Sequence, residues 1–383
     1  MSQNIVALDL GSGQITGALV VYDENTGTCR VRHAVRQQCP AVSACYILDF
    51  DRAARAVSAV LRQLCEAASF APTVVVGLRG GFLSFRRSGG TQSIESKNSV
   101  ITSKDVRAAL DNSVPESLDE NLEVVNLLPQ SFTIDGKTGI QKPEGLVGNF
   151  LEAETFLSCA LSTHLSNLNR VMTAAGYEDF EAVPTVLALC DSLVKPEEKQ
   201  AGVLLLDLGA ANSSAALYHK GLLEGAWEIP LGADLLVQEV AEVLQNDLKS
   251  ARETMRQHPY GEDEVMDDLL DEAALHMMQK IKRELLQGSL AYIKYPPRHV
   301  VLTGGGSGLA AKNAAEKVFS VRRARLAGHD DLIADSEELT APQYTSALSL
   351  ALHSQRHGGP ALGSVAEKTG GFLGRVLAKL GLN

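Results

Sequence analysis

The chain has 383 residues, of which 45% are hydrophobic and 21% are charged, and its formal net charge is −11. This length exceeds what one compact core usually holds, so we expect about two to four domains. The hydrophobic fraction is that of a folded globular protein. The acidic balance argues against a general nucleic-acid-binding protein and against adhesion of the whole body to anionic lipid, because both need a basic surface.

The cysteines and histidines do not indicate a disulfide or metal framework. The six cysteines include no C-x-x-C pair, and residues 1–4 are polar rather than the start of a secretory signal. We therefore expect reduced, packed thiols in a cytoplasmic protein. His353 and His357 have metal-like spacing but lie in a Gly-rich stretch with no carboxylate or thiolate close by in sequence, so we expect them to be solvated. No apolar run approaches the roughly 20 residues of a membrane-spanning helix.

The first 80 residues alternate short apolar runs with turn residues. The first run ends near Asp9, and Gly11, Ser12 and Gly13 then predict a tight turn into a second strand. The predicted elements are strands at residues 5–10, 15–22 and 73–78 and a helix at residues 51–70.

Residues 81–158 differ from what precedes them, because they are polar and rich in Ser, Thr and Asn. They contain strand-like pieces and one helix near residues 103–110, for which we expect Ser103 as the N-cap and Asp105 as a favourable charge in the first turn. This composition predicts a small inserted domain, after which residues 161–175 return to helix.

The later part of the chain repeats the order of the first part. A buried strand leads into Asp207 and Gly209, as the first strand leads into Asp9 and Gly11. Because strand, acidic residue, glycine turn and strand occur twice, we expect two similar α/β halves. The other elements predicted here are strands at residues 203–209, 215–218 and 300–302 and helices at residues 235–244 and 262–286.

The two acidic turns and a triple glycine predict a nucleotide site. If the halves face each other, both turns offer backbone N–H groups to phosphates, and Asp9 and Asp207 can hold a hydrated Mg²⁺. The glycine loop leaves room for an adenine–ribose group close to the backbone. Each loop alone could be an ordinary turn, but the three in this order favour a nucleotide. The residues that would lie at this nucleotide are Asp9, Gly11, Ser12, Gly13, Gln14, Asp207, Gly209, Ala210, Asn212, Gly304, Gly305, Gly306 and Ser307.

These motifs resemble those of the actin/Hsp70/sugar-kinase ATPase superfamily. Residues 9–16 and 207–214 are similar to its two phosphate motifs, and residues 302–307 are similar to its adenosine motif. The resemblance implies an α/β, actin-like duplicated ATPase fold with two RNase H-like halves around a nucleotide cleft.

Within that superfamily the chain resembles FtsA, the bacterial division protein. Residues 127–136 (LLPQSFTIDG) and 139–148 (GIQKPEGLVG) are similar to the signature IPQ-x-F-x-IDG…GI-x-NP-x-GL-x-G of its inserted subdomain, and residues 229–232 and 342–348 also look like FtsA segments. The resemblance implies a first actin-like subdomain (residues 1–80, 159–180 and 336–353), the FtsA-type insert (81–158), a second actin-like subdomain (181–232 and 299–335), an outer subdomain (233–298), a flexible linker (354–369) and a C-terminal amphipathic helix (370–383).

The phosphate motifs depart from the family pattern, which usually reads D-[IL]-G-G-G-T-x-D in the second half. Ala210 and Ala211 replace glycines and limit the approach of phosphate to the backbone. Asn212 replaces a hydroxyl, and Ser214 replaces a carboxylate. Gln14 stands where many relatives carry a phosphate-reaching Lys. We therefore expect ATP binding with slow or absent hydrolysis, and whether the chain is an enzyme stays open.

Residues 370–383 have the pattern of an interfacial helix, with one apolar stripe and two basic side chains suited to lipid phosphates on another side. The helix could instead dock on the protein's own core, but the preceding Gly/Pro-containing linker and the FtsA resemblance favour a membrane. A single tail is a marginal anchor, so we expect membrane binding to depend on polymerisation. The residues predicted to contact the membrane are Phe372, Leu373, Arg375, Val376, Leu377, Lys379 and Leu380.

The FtsA resemblance implies a protein that forms filaments of itself and tethers filaments of an FtsZ-like tubulin homologue to the inner face of the cytoplasmic membrane at the division site. It also implies contacts with other division proteins and places the tubulin-homologue surface around residues 235–285. Two alternatives stay open. A type IV pilus assembly protein of related fold would lack autonomous lipid affinity, and a small-molecule kinase would need a carboxylate base beside the γ-phosphate.

Overall fold

The computed structural model describes residues 2–43, 45–96, 98–115, 118, 121–288, 290–329, 332–357 and 361–362 of the chain. Residues 370–383, with all the side chains predicted to contact the membrane, lie outside the described residues, as does most of the predicted linker. Within the described ranges, none of the helices combines the length and the apolar character that crossing a bilayer requires.

The chain begins with three antiparallel strands, a short hairpin, a helix and a parallel strand. The elements are β1 (Ser2–Leu10), β2 (Gln14–Asp23), β3 (Thr28–Gln38), β4 (Val42–Ser43), β5 (Tyr46–Ile47), α1 (Phe50–Glu66) and β6 (Thr73–Leu78). The side chain of Asp49 caps α1 by accepting a hydrogen bond from the backbone N–H of Arg52. The buried face of α1 packs against the β-sheet through Val57, Val60 and Leu64.

The segment after β6 forms the small domain that the composition predicts. Its elements are β7 (Leu83–Ser93), α2 (Ser103–Asp111), β8 (Leu122–Ile134), β9 (Lys137–Ile140) and β10 (Phe150–Leu161). The four strands form an antiparallel sheet in the order β7-β10-β8-β9, and α2 packs on it around a separate core that includes Ile101, Leu110 and Leu151.

The N-cap of α2 differs from the prediction. Thr102, not Ser103, is the cap: its Oγ1 accepts from the Asp105 N–H, and the Asp105 carboxylate accepts from the Thr102 N–H. This reciprocal capping box needs the hydroxyl three residues before the acid. Ser103 is therefore the first residue inside the helix, and only the favourable role of Asp105 was predicted correctly.

The chain then passes through α3 (Ser162–Ala174), β11 (Phe180–Pro184), α4 (Thr185–Leu193) and α5 (Pro196–Ala201). The elements of the second half are β12 (Val203–Leu208), β13 (Ser213–His219), β14 (Leu222–Ile229), α6 (Asp234–Leu244), α7 (Leu248–Gln257), α8 (Glu264–Gly288), α9 (Leu290–Lys294), β15 (His299–Thr303), α10 (Leu309–Phe319) and β16 (Ala324–Leu326). The chain then returns to the first half as β17 (Ile333–Ala334), α11 (Thr345–His357) and β18 (Ala361–Leu362).

The two halves have the same strand order. The sequence β3-β2-β1-β6-β11 within the seven-stranded sheet corresponds to β14-β13-β12-β15-β16 in the five-stranded sheet, with antiparallel pairing on one side of β1 or β12 and parallel pairing on the other. The registers also agree, since Asp9 pairs with Thr16 and Asp207 pairs with Ser214. The predicted α/β, actin-like duplicated fold is therefore confirmed.

The interface between the halves is built around α4. Its buried residues Val186 and Leu189 pack in one cluster with Leu205 and Ala216 of the second sheet. The other face of α4 lies against α11, where Ala188 packs with Leu348 and Ala351. Because these helices are apolar on both sides, they hold the ends of β1 and β12 close together.

The prediction that His353 and His357 are solvated was wrong for His353, whose side chain is 13% exposed, whereas the side chain of His357 is 54% exposed. Helix α11 continues to His357, so residues 354–357 are helical rather than part of a linker. His357 Nε2 lies 3.1 Å and His353 Nδ1 lies 3.4 Å from Asp191 Oδ2, at the end of α4. This carboxylate could not be anticipated, because folding brings it from a distant part of the chain.

Candidate functional site

The first predicted phosphate turn connects β1 to β2 and is tied to the neighbouring strand connection. The Gly13 N–H donates to Val42 O at 2.9 Å, and Gly13 O accepts from Cys39 N at 2.9 Å. Gly13 has a φ of 74°, which explains why a residue without Cβ is needed there. The side chain of Gln14 accepts a 2.7 Å hydrogen bond from Arg36 Nε, so a guanidinium that the sequence did not point to lies beside this turn.

The second predicted turn connects β12 to β13 and is held by its carbonyl groups. Gly209 O and Ala210 O accept from the N–H groups of Ala233 and Asp234, both at 2.8 Å. A Cβ at Gly232 would lie 2.4 Å from each of these two oxygens, so only glycine permits this packing. The N–H groups of Ala210 and Ala211 have no acceptor among the described residues and are available to an anion.

The glycine loop packs directly against the second turn. The Gly306 N–H donates to Leu208 O at 2.8 Å, and Ser307 Oγ donates to Gly304 O at 2.6 Å. Gly304 has a φ of 90°, and a Cβ there would lie 2.4 Å from Asp207 Oδ1. Gly305 has no neighbour within 4 Å of such an atom, so its surface is open. The structure thus brings together Asp207, the second turn and the loop of residues 304–307.

A side chain that the sequence analysis missed joins the two halves. Arg79 follows β6, and its Nε lies 3.0 Å from Asp9 Oδ1, while its Nη2 donates to Asp207 Oδ2 at 3.0 Å. Nη2 also donates to Ser346 Oγ on α11 at 2.9 Å. The arginine and the two aspartates are buried. Although burial lowers the pKa of Arg79, Asp9 and Asp207 raise it above its usual value, so the guanidinium stays charged.

A second missed residue is Glu228 on β14. Its Oε2 accepts hydrogen bonds from Gly80 N at 2.9 Å, Asn212 Nδ2 at 2.7 Å and Ser214 Oγ at 2.9 Å. Burial raises the pKa of Glu228 to about 7, against the opposing effect of Arg79 and these donors. The carboxyl group that the motif lacks at Ser214 is therefore supplied by its cross-strand partner, although the raised pKa favours the protonated, uncharged form of Glu228.

The side-chain amide of Asn212 donates a hydrogen bond to Glu228 in this arrangement and does not face a phosphate freely. The predicted contribution of Asn212 to nucleotide binding is thus limited to its backbone. A signal for Arg79 existed in the sequence, since it is a charged residue directly after a buried strand, at the edge where parallel strands place ligand-binding groups. Glu228 gave a weaker signal, as a charge inside an apolar strand.

The donor set fits a nucleotide better than it fits Mg²⁺. Free N–H groups of the second turn suit phosphate oxygens, and the glycine loop leaves an open surface beside them. Mg²⁺ requires an octahedral set of oxygens at about 2.1 Å, with most of its waters retained. Arg79 lies between the two carboxylates that would hold those waters, and its charge repels a second cation. With Arg79 in this position, Mg²⁺ does not fit between Asp9 and Asp207.

Comparison with known proteins agrees with the fold and the insert. The family model described as the SHS2 domain inserted in FtsA matches residues 80–158. The cell division protein FtsA of Streptococcus pneumoniae serotype 2 is 26% identical over 340 residues, which make up 82% of this chain and 73% of that protein. The resemblance to FtsA is therefore confirmed.

Two solved structures share the actin-like fold. A chain of the PilM-PilN type IV pilus biogenesis complex matches with a TM-score of 0.65 and 17% identity, covering 91% of this chain and 98% of that one. MreB5 of Spiroplasma citri bound to ADP matches with a TM-score of 0.50 and 10% identity, covering 92% of this chain and 96% of that one. At these identities both matches show the fold alone.

Proposed function

We propose that this chain, which resembles FtsA in its sequence and its inserted domain, acts in bacterial cell division as an ATP-bound scaffold. The observation that carries the proposal is the FtsA-type domain at residues 80–158, set into a duplicated actin-like body. An insert of this kind is part of neither half of the duplication, so the ATPase fold alone does not account for it. The likeness to a pilus protein supports the fold and not that protein's role.

In this proposal ATP lies in the cleft between the halves, with its phosphates near the turns at residues 11–14 and 209–212 and its adenosine near residues 304–307. The unpartnered N–H groups of Ala210 and Ala211 support phosphate binding. Hydrolysis is slow or absent, because Asp9 and Asp207 are both engaged by Arg79. Robust steady-state ATPase activity that Asp207→Ala abolishes would contradict this part of the proposal.

The scaffold assembles into filaments and binds an FtsZ-like tubulin homologue, together with other division proteins. The surface proposed for the tubulin homologue lies around residues 235–285. Several apolar side chains are exposed in this part of the fold, and a partner that covered them would remove apolar surface from water. These exposed residues are Val243, Leu244, Leu248 and Val265.

Membrane attachment is assigned to residues 370–383, at the inner face of the cytoplasmic membrane at the division site. Five partly buried apolar side chains each contribute less than the roughly 1.5–3 kcal/mol of full burial, while ordering the helix costs about 1 kcal/mol per residue. A single tail is therefore weak. Several tails on one filament bind more firmly through effective concentration.

Sedimentation with vesicles that contain anionic lipid tests the attachment. The full-length chain should pellet with the vesicles, more strongly with ATP and a tubulin-homologue filament present, and a chain ending at Thr369 should remain in the supernatant. A matched variant that replaces Arg375 and Lys379 by Gln separates the electrostatic from the apolar contribution. Equal pelleting by the full-length and shortened chains would refute membrane attachment through this tail.

A further inference from the structure

The first inference concerns the cation of the cleft and rests on the proposed nucleotide site. Asp9 and Asp207 come from the two halves of the duplication, and each has one carboxylate oxygen 3.0 Å from a nitrogen of the same guanidinium. Ser346 holds the same Nη2 from a third direction. These contacts therefore hold the side chain of Arg79 in one position, whereas an exposed arginine would sample several rotamers.

A guanidinium can replace part of what a divalent cation does in such a cleft. It neutralises carboxylates, it is never deprotonated, and its planar fork can donate to phosphate oxygens as well as to carboxylates. It cannot coordinate water or supply two positive charges. We propose that Arg79 takes the place of Mg²⁺ in this cleft, so that the protein closes the cleft and binds nucleotide without a metal ion.

Equilibrium binding of a ribose-labelled fluorescent ATP to the full chain tests this, with either excess Mg²⁺ or EDTA. For the wild-type protein the affinity should be the same in both conditions. Arg79→Ser removes the guanidinium and frees both carboxylates, so its affinity should fall by about tenfold in EDTA relative to Mg²⁺. Arg79→Lys keeps one charge and should remain metal-independent, and Arg62→Ser on the exposed face of α1 is the matched control.

A second readout uses Mn²⁺, whose free concentration is measured by electron paramagnetic resonance without nucleotide. Wild-type protein should bind none in the cleft, and Arg79→Ser should bind one ion that Asp207→Asn removes. Wild-type affinity for ATP that falls tenfold in EDTA, or Mn²⁺ binding by the wild type that Asp207→Asn removes, would overturn the inference. If the wild type bound no nucleotide in either condition, the proposed ATP site would fail, and the Mn²⁺ comparison would still decide the role of Arg79.

A second, independent inference concerns a cavity of about 360 Å³ between the inserted domain and the second half. Phe85 and Arg86 of β7 line one side, and Trp227 of β14 with Lys294 and Tyr295 lines the other. The cavity lies at the lower end of the size range of small-molecule sites. Gly225 makes room for the indole, since a Cβ there would lie 2.4 Å from the Trp227 ring.

The guanidinium of Arg86 points to the chemistry of a ligand. Its Nε and Nη2 are buried and have no acceptor among the described residues. Buried charged donors without partners are costly and therefore rare in folded proteins. Arg87 and Glu224 also line the cavity, and they form an ion pair with each other. Arg86 thus lines the cavity with two guanidinium nitrogens for which the described residues supply no acceptor.

The rest of the cavity wall supports a ligand that is both anionic and flat. Lys294 adds a second positive charge at the rim, 4.9 Å from the ring centroid of Tyr295. Phe85 and Trp227 supply apolar ring surfaces, which favour a planar group. We propose that this cavity binds a small molecule that carries a carboxylate or phosphate group on a planar apolar ring, with Arg86 holding the anionic group.

The chain has a single tryptophan, so the fluorescence of Trp227 reports on this cavity directly. Titration of the full chain with benzoate and with phenyl phosphate should give saturable changes and show which anionic group is preferred. Benzyl alcohol tests whether the charge is required. Arg86→Met should weaken binding of the anionic compounds by about tenfold, with Arg62→Met as the exposed control.

The variant is expected to fold, because Arg86→Met removes two buried nitrogens without an acceptor and should leave the unfolding temperature unchanged or raised. Lys294→Met gives a second, exposed test with a smaller loss of affinity. The inference would be overturned if neither anionic compound gave a saturable change. It would also be overturned if Arg86→Met bound them as tightly as the wild type, or if benzyl alcohol bound equally well.

Discussion

The two halves of this protein share a strand order and a register, yet they end differently at the cleft. Beyond β6, the strand next to Asp9, the chain places Arg79, whose side chain crosses to Asp207. Beyond β15, the strand next to Asp207, the chain places Gly304 and Gly306, which pack closely on the second turn, and Gly305, which leaves open space. One half therefore supplies the charge that closes the cleft, and the other supplies the room that a nucleotide needs.

The difference shows that a duplicated fold can divide the tasks of a site between equivalent edges. The same sheet edge is filled in one half and open in the other, although local strand geometry is alike. Glu228 extends the asymmetry, since it lies opposite Ser214 in the second half, whereas the equivalent Thr16 has a buried hydroxyl with no partner among the described residues.

The largest loss of stability is expected from Arg79→Ser. The substitution leaves Asp9 and Asp207 buried without their counter-charge, which should lower the free energy of unfolding by about 3–5 kcal/mol at neutral pH. Because the two acids can then take up protons, the loss should shrink as the pH falls. Urea unfolding of Arg79→Ser beside Arg62→Ser measures it. A loss below about 1 kcal/mol would mean that Arg79 does not bridge the halves.

The glycines of the two halves should respond unequally to the same change. Gly304→Ala adds a Cβ 2.4 Å from Asp207 Oδ1 at a positive φ, and should cost about 2–4 kcal/mol through overlap and backbone strain. Gly13→Ala has the same sign of φ but no atom within 4 Å of the new Cβ, so about 1 kcal/mol is expected. Thermal unfolding of both variants checks the order. Equal losses would show that strain alone, and not packing on Asp207, requires the glycine.

The pH dependence of stability should reflect the protonation of Glu228. Its folded-state pKa is raised by burial to about 7 from the ordinary 4.5, so the folded protein holds a proton that the unfolded chain has released between these values. The free energy of unfolding, relative to that of Glu228→Gln, is then greatest below pH 4.5. It falls by about 3 kcal/mol as the pH rises through 7. Denaturant unfolding of both proteins from pH 5 to 8 measures this. Parallel curves would contradict the raised pKa.

The smallest expected change in stability comes from removing the equivalent hydroxyls of Ser214 and Thr16. Ser214→Ala removes one donor from the Glu228 carboxylate and should cost about 1 kcal/mol. Thr16→Val removes a buried hydroxyl that has no partner among the described residues, so its effect should be neutral or slightly stabilising. Chemical unfolding of the two variants tests the asymmetry, which would be refuted if Thr16→Val were the more damaging change.

Much of the fold could be predicted from local patterns. The strands that lead into Asp9 and Asp207, the inserted domain and the glycine loop all follow from the alternation of apolar runs and turn residues. Residue-level details were less predictable, because neighbouring residues can compete for one role. Thr102 and Ser103 are both good N-cap residues, and only the position of Asp105 relative to the observed first turn assigns the cap to Thr102.

The sequence by itself determined the duplicated α/β architecture, the FtsA-type insert and the three loops of the cleft, because each is encoded in residues adjacent along the chain. Only the tertiary structure decided what the charges in the cleft do. Arg79 and Asp207 are 128 residues apart, and Gly80 and Glu228 are 148 residues apart. Such pairs carry no local pattern. Folding alone turns two predicted metal-binding carboxylates into partners of one buried guanidinium.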